Sequence, residues 1–204
     1  MNAAPTSRPT RSDRVDLWTV ITVGVVVAVF ALVNAIVRIV SIVPNKNVDV
    51  LAPFFDTVAA LPLGPGGELV DVRVDSAIVT VSDLPVVVVV SLVAAVLVEL
   101  ATTLIIVVCA MVLCRNLMTG TAFSRTNTRL VFTVSITLIV SATLASLFTT
   151  MGSNGAFATL SEGSYDGAVA TANLLPYFAA IGLGAVALAF KAGERLSRET
   201  EGLV

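Results

Sequence analysis

Two charged residues interrupt long apolar stretches of this sequence and are the first candidates for chemistry. Arg38 lies within the apolar run 17–43, with Asn34 one helical turn before it, and Glu99 lies within the run 85–114. A charge at the centre of a bilayer costs about 2.5–3.5 kcal/mol on insertion scales. At 1.5 Å per residue of helix, both charges lie roughly 6–8 Å below the same membrane surface. The two side chains could therefore meet.

Three interpretations of these positions are open. Arg38 and Glu99 form a buried ion pair that fixes the register of two helices, with Asn34 adding a hydrogen bond. Alternatively they form a proton- or solute-coupled site. In the third interpretation, Arg38 extends to the interface while Glu99 is protonated or faces a water-filled cavity. The sequence favours the ion pair.

Other reactive side chains are scarce. The chain contains no histidine, which removes the commonest catalytic base and the commonest transition-metal ligand. The cysteines Cys109 and Cys114 are separated by four residues instead of the two of a redox or zinc pair. On a helix they lie on different faces. We expect packed, reduced thiols, no metal or other cofactor, and no enzymatic activity.

The elements that must position these residues follow from composition. The chain is 56% hydrophobic and 13% charged, far from the roughly one quarter of charged residues in soluble domains. Crossing a bilayer takes about 20 apolar residues of helix. The sequence predicts an all-α membrane protein, a bundle of four transmembrane helices at about 17–43, 85–114, 130–151 and 170–190. Residues 1–16 and 191–204 form tails, and 44–84 form a long loop.

Arginine and lysine predict the orientation, because short cytoplasmic loops are enriched in them. Basic residues precede the first run, lie between the second and third, and follow the fourth: Arg8, Arg11, Arg14, Arg115, Arg125, Arg129, Lys191, Arg195 and Arg198. The other connections hold only Lys46 and Arg73 among many acidic residues. Both termini are therefore predicted to be cytoplasmic. The net charge of −2 gives no reason to expect direct binding of nucleic acid.

The two external connections differ in pattern. Val70, Val72 and Val74 alternate with charged residues, and after Ser76 the alternation resumes from Ala77. Alternation on both sides of a polar break predicts a small external β-hairpin with its turn at Ser76, as a structural cap or, less favoured, a ligand sensor. The glycine- and serine-rich stretch 152–166 is expected to be a flexible loop.

Small residues recur at intervals of four within the spans. The pairs are Gly24 with Ala28, Ala31 with Ala35, Ser141 with Ala145, and Ala180 with Gly184. Such spacing lets helix backbones approach closely in lipid. It does not choose between packing within one chain and formation of a homo-oligomer.

Two segments predicted to be cytoplasmic offer a contact surface. In the connection 115–129, Gly120 is a turn residue, Ser124 is a candidate helix N-cap, and Phe123, Arg125 and Arg129 surround it. The tail continues the fourth helix through Gly193 and Leu196, and Glu194 stands four residues before Arg198, a favourable helical pair. The alternative interpretation is a basic interfacial turn and a solvated tail.

Both segments carry a family resemblance. The stretch Gly120-Thr-Ala-Phe123-Ser124 and the tail Phe190-x-x-Gly193-x-x-Leu196-x-x-Glu199 resemble a bacterial four-helix membrane family catalogued as domain of unknown function 2975. The resemblance implies a protein of the bacterial cytoplasmic membrane without established enzymology. It also implies a regulatory partnership with a small cytoplasmic helix-turn-helix protein.

The leading functional hypothesis is a membrane-anchored regulatory or interaction protein with a cytoplasmic docking face. The alternative is a small transporter, or a resistance or immunity protein, which needs a polar path through the membrane. The spans contain few polar side chains for such a path: Asn34, Arg38, Glu99, Thr102, Thr103 and Asn173.

Overall fold

Four long helices and one β-hairpin make up the fold. The computed structural model describes residues 11–118, 124–164 and 173–201. In chain order the elements are α1 (Arg11–Ile42), β1 (Val48–Pro62), β2 (Leu69–Val81), α2 (Val86–Met118), α3 (Arg125–Leu160) and α4 (Leu175–Glu201). Each of the four helices contains a stretch long and apolar enough to cross a membrane. The predicted fold class, four spanning helices with a hairpin between the first two, is confirmed, and the chain is a multi-pass membrane protein.

Helix α3 extends beyond its predicted bounds at both ends. Its 36 residues correspond to about 54 Å of helix, well beyond a hydrocarbon core of about 30 Å. The stretch after Met151, expected to be a flexible loop, is helical as far as Leu160. After the helix, Glu162 and Gly163 adopt positive φ values of 51° and 81°, and the N–H of Gly163 donates to the carbonyl of Ala158 at 3.0 Å, a bond typical of helix C-termini.

Glycines inside α3 have a packing reason. A Cβ added at Gly155 would overlap the side chain of Val88 in α2, and one at Gly152 would lie 2.5 Å from Leu92 Cδ2. Glycine within a helix costs about 1 kcal/mol relative to alanine. Here the missing Cβ lets α3 approach α2 closely, so these glycines mark a helix contact where the sequence indicated a loop.

Small residues of α1 also lie on a packed face. Ala35 is buried, and Gly24, Ala28 and Ala31 are half-buried. A Cβ added at Gly24 would lie 3.1 Å from Met111 Sδ in α2. Most valines between these positions are exposed, as expected for side chains that face lipid. The small-residue spacing of α1 is therefore used within one chain.

The chain divides into two compact units. The first unit comprises residues 1–34, 99–142 and 174–204, and the second comprises 35–98 and 143–173. In the first unit, the Ser135 hydroxyl of α3 donates to the carbonyl of Ala180 in α4 at 2.7 Å, and Gly184 lies beside Ser135. The Ala180 and Gly184 pair thus lies at the contact of α4 with α3.

The predicted β-hairpin is present in the second unit, but the predicted position of its turn, at Ser76, is wrong. The whole of Leu69–Val81 is one strand, β2, paired antiparallel with β1. The turn lies at Pro65–Gly67, where Gly66 and Gly67 have φ values of 75° and 86°. Ser76 pairs with Pro53, next to a register shift between Pro53 and Thr57. The change of phase at Ser76 therefore marks a β-bulge in the partner strand, not a turn.

Polar and aromatic contacts tie the base of the hairpin to the helices of the second unit. The Asn45 amide, just after α1, donates to the carbonyl of Leu84 at 2.9 Å and accepts from the N–H of Leu84 at 3.0 Å. Phe54 of β1 packs edge-to-face on Phe157 of α3, with ring centroids 5.2 Å apart. The extended end of α3 thus supports the hairpin, which would be marginal alone.

Candidate functional site

The residues that interrupt the apolar runs lie at the chain surface. Asn34 and Arg38 are exposed on α1, and Glu99 is exposed on α2. Arg38 belongs to the second unit, whereas Asn34 and Glu99 belong to the first. Arg38 and Glu99 each have an interaction partner. Their pairing with one another stays a prediction.

The cysteines behave as packed thiols. Cys109 is buried and Cys114 is half-buried, and both are free. Within residues 11–118, 124–164 and 173–201, no group of three or more cysteine, aspartate or glutamate side chains is placed to hold a metal ion. Basic side chains instead cluster at the start of α3 and in the second half of α4.

The start of α3 is fixed by its cap and by a buried amide. Ser124 Oγ accepts the N–H of Asn127 at 3.3 Å, which confirms Ser124 as the N-cap. The Asn127 side chain is fully buried, and its Oδ1 accepts from Asn116 Nδ2 of α2 at 2.8 Å. This side-chain hydrogen bond joins the end of α2 to the first turn of α3. It fixes the backbone that carries the arginines after Ser124.

An ion pair joins the first turn of α3 to α4. Arg125 Nε lies 3.1 Å from Glu194 Oε1, and the Arg125 side chain is 68% exposed whereas that of Glu194 is 14% exposed. A cation in the first turn of a helix is disfavoured by the helix dipole, so the carboxylate compensates for the position of Arg125. The sequence indicated Arg198 as the partner of Glu194; the side chain of Arg198 lies outside the described residues.

Around this ion pair lies a cavity of about 600 Å³, here called the basic cavity. Its described lining residues come from the start of α3 and from the second half of α4: Arg125, Thr128, Arg129, Lys191, Glu194 and Arg195. Among the described lining residues, four cations and one carboxylate leave a formal excess of three positive charges. Chemically, this arrangement suits the binding of an anion, above all one whose oxygens accept several charge-assisted hydrogen bonds.

The predicted contact residues fall into three groups. Arg125 and Arg129 line the basic cavity, and Gly193 is half-buried in α4 beside it. Leu196 continues α4, but its side chain lies outside the described residues, as do Gly120 and Phe123 altogether. The structure thus brings together the two predicted arginines of α3 with cations of the tail.

The sequence joined the two segments in one contact surface but did not indicate Lys191 and Arg195 as the residues that face Arg125 and Arg129. The two pairs are distant in the chain, and only the packing of α3 on α4 brings them together. A signal was present, because each pair is spaced by four residues and so lies on one helix face.

The second unit has a different surface. A cavity of about 540 Å³ follows the bulge of the hairpin, with Phe54, Thr57, Arg73 and Asp75 among its lining residues. Arg73 forms an exposed ion pair with Asp56 at 3.1 Å. Exposed pairs of this kind contribute about 0–1 kcal/mol, so the pair does little to organise a site.

Comparisons of the chain with protein-family models, curated proteins and solved structures found no match. The resemblance of the Gly120–Ser124 turn and of the tail to the four-helix bacterial family stays a prediction.

Proposed function

We propose that this chain is a regulatory or interaction protein of the bacterial cytoplasmic membrane, with both termini in the cytoplasm and a docking face at the end of α4. The observation that carries the proposal is the joining of the start of α3 and the end of α4 by the Arg125–Glu194 ion pair at 3.1 Å. This contact steadies the last part of α4, which continues as helix to Glu201.

The grouping of segments supports the orientation. Among the described residues, the first unit contains the starts of α1 and α3 and the ends of α2 and α4, which lie in the arginine-rich segments. The second unit contains both connections that are poor in arginine and lysine. Segments rich in arginine thus share one unit and segments poor in it share the other, as expected when only the first set lies in the cytoplasm.

The chemistry of the docking face favours an acidic partner. Lys191 and Arg195 are exposed on α4, and cations attract negatively charged proteins over about 8 Å at physiological salt. The partner implied by the family resemblance is a small cytoplasmic helix-turn-helix regulator. An acidic face on that regulator would complement α4.

A transporter or resistance protein remains the alternative function. It needs polar side chains directed into a path, whereas several hydroxyls of the spans hydrogen-bond to helix carbonyls. Ser91 donates to Val87, Thr103 donates to Glu99, and Ser135 donates to Ala180. These bonds are typical of helix stabilisation and packing, so docking is the better supported function.

Site-specific photo-crosslinking in intact cells tests the docking face. A photoreactive residue replaces Ala192, which is exposed on α4, and in the matched control it replaces Leu117, which is exposed at the end of α2. We expect one defined protein adduct at Ala192, weakened by high salt in isolated membranes, and none at Leu117. Equal adducts at both positions, or no protein adduct at Ala192, would contradict the proposal.

A further inference from the structure

We propose that the basic cavity binds the phosphate of an anionic phospholipid headgroup, with the lipid chains lying along the neighbouring faces of α3 and α4. Lys191 and Arg195 belong both to this cavity and to the proposed docking face. Lipid binding is therefore tested on the purified protein, where no docking protein is present. Three features of the first unit support it: the charge of the cavity, its depth and the side chains that continue from it.

The charge of the cavity fits a phosphate. Glu194 is engaged by Arg125 at 3.1 Å, while Arg129, Lys191 and Arg195 contribute further positive charge to the lining. Arginine donates paired hydrogen bonds to phosphate oxygens and lysine supplies a compact point charge. Basic pockets between transmembrane helices are the usual binding sites for anionic headgroups.

The cavity also lies at the depth of lipid headgroups. Arg129 comes directly before the apolar part of α3, and Lys191 comes directly after the apolar part of α4. On both helices the cations therefore mark the level at which the hydrocarbon core ends. A headgroup reaches this level without leaving the membrane.

Exposed apolar side chains continue from the cations on the same helix faces. On α3, Phe132 and Ile136 follow Arg129 by three and seven residues, and Phe132 is 55% exposed. On α4, Leu188 precedes Lys191 by three residues and is 68% exposed. Residues three, four and seven apart share one face of a helix. Each helix thus offers cations for a headgroup and, next to them, apolar surface for an acyl chain, which an acidic peptide or a free anion would not use.

Native mass spectrometry of the full-length protein in detergent tests the proposal. The protein is titrated with phosphatidylglycerol, with phosphatidylcholine of identical acyl chains, and with inorganic phosphate. We expect phosphatidylglycerol to bind with higher affinity than phosphatidylcholine, and inorganic phosphate at millimolar concentration to leave it bound. Equal affinity for the two lipids would overturn the proposal. Displacement of phosphatidylglycerol by inorganic phosphate would also overturn it, because that result would indicate a site for a soluble anion.

Variants then assign the lipid to the cavity. The double variant Arg129→Gln with Lys191→Gln should bind phosphatidylglycerol about 30-fold more weakly, about fivefold for each cation removed near a headgroup. The matched control is Arg115→Gln, which removes a cation at the end of α2 that does not line the cavity, and we expect it to leave affinity unchanged. If Arg115→Gln weakened the binding of phosphatidylglycerol equally, general surface charge would explain the lipid preference. That result would overturn the assignment of the lipid to the cavity.

A charge-preserving variant separates binding from misfolding. Arg129→Lys with Lys191→Arg keeps both positive charges, so we expect the preference for phosphatidylglycerol over phosphatidylcholine to persist. Circular dichroism and gel filtration of each variant show whether it is folded. If the charge-preserving variant is folded yet no longer prefers phosphatidylglycerol, the attraction of the headgroup to these cations is not the cause of the lipid preference.

Discussion

The two units of this membrane protein carry opposite charge. Arg125, Arg129, Lys191 and Arg195 surround a cavity in the first unit. The connection of the second unit that forms the hairpin instead contains mostly acidic residues: Asp49, Asp56, Glu68, Asp71, Asp75 and Asp83, against Lys46 and Arg73. The first unit can therefore hold an anion, whereas the second offers mainly acceptors, without a described cluster that could hold a metal.

The units also differ in how their helices are held. In the first, polar side chains bridge helices, as in the bond from Ser135 to the carbonyl of Ala180 and the bond between Asn116 and Asn127. In the second, Gly155 lets the backbone of α3 approach the side chain of Val88 in α2 more closely than an alanine would allow. A polar bridge fixes the rotation of one helix relative to its neighbour, which suits the end of the bundle that binds a ligand. Close packing fixes the distance between two helices, which suits the part of α3 that supports the hairpin.

The largest expected effect is in the close packing of the second unit. Gly155→Ala places a methyl group against Val88, a β-branched side chain with little rotamer freedom. We expect the free energy of unfolding to fall by about 1–3 kcal/mol, measured by denaturation in mixed micelles.

Two other glycines serve as controls for that substitution. Gly152→Ala meets only the flexible end of Leu92, and Gly182 on α4 has nothing within 4 Å of an added Cβ. We expect a smaller loss at Gly152 and no loss at Gly182. If all three variants lose equal stability, close approach is not what distinguishes the second unit.

A smaller effect is expected from the polar bridge of the first unit. Ser135→Ala removes the donor to the carbonyl of Ala180, and interhelical hydrogen bonds in membranes contribute about 0.6 kcal/mol on average and about 1.7 at most. The same denaturation measurement should show a loss below that of Gly155→Ala. The reverse order would contradict the comparison between the units.

The smallest effect is expected at the ion pair. Glu194→Gln removes the charge that faces Arg125, and a pair with one exposed partner contributes about 0.2–1 kcal/mol. We expect the loss of stability to shrink further in high salt, because exposed charges are screened. A double-mutant cycle with Arg125→Gln gives the coupling energy of the pair. A coupling energy of zero would show that the ion pair does not hold α4 to α3.

The sequence by itself determined the features that depend on neighbouring residues. Long apolar runs give four helices because every backbone polar group must be satisfied within the protein when the solvent is lipid. The Ser124 cap is equally local, since a hydroxyl three residues before a backbone N–H can bond to it. Alternating valines indicate the strand at residues 70–81. The shift in that alternation at Ser76 indicates a turn when the partner strand is not known.

Only the tertiary structure decided the features that join distant residues. Whether Gly155 belongs to a flexible loop or to a packed helix depends on its contact with Val88. Whether Ser76 marks a turn or a bulge depends on the register shift beside Pro53 in the other strand. The basic cavity depends in the same way on α4 packing beside α3, which sets Lys191 and Arg195 near Arg125 and Arg129. A local pattern specifies the conformation of a segment, but the partner of a side chain is set by which helices and strands pack together.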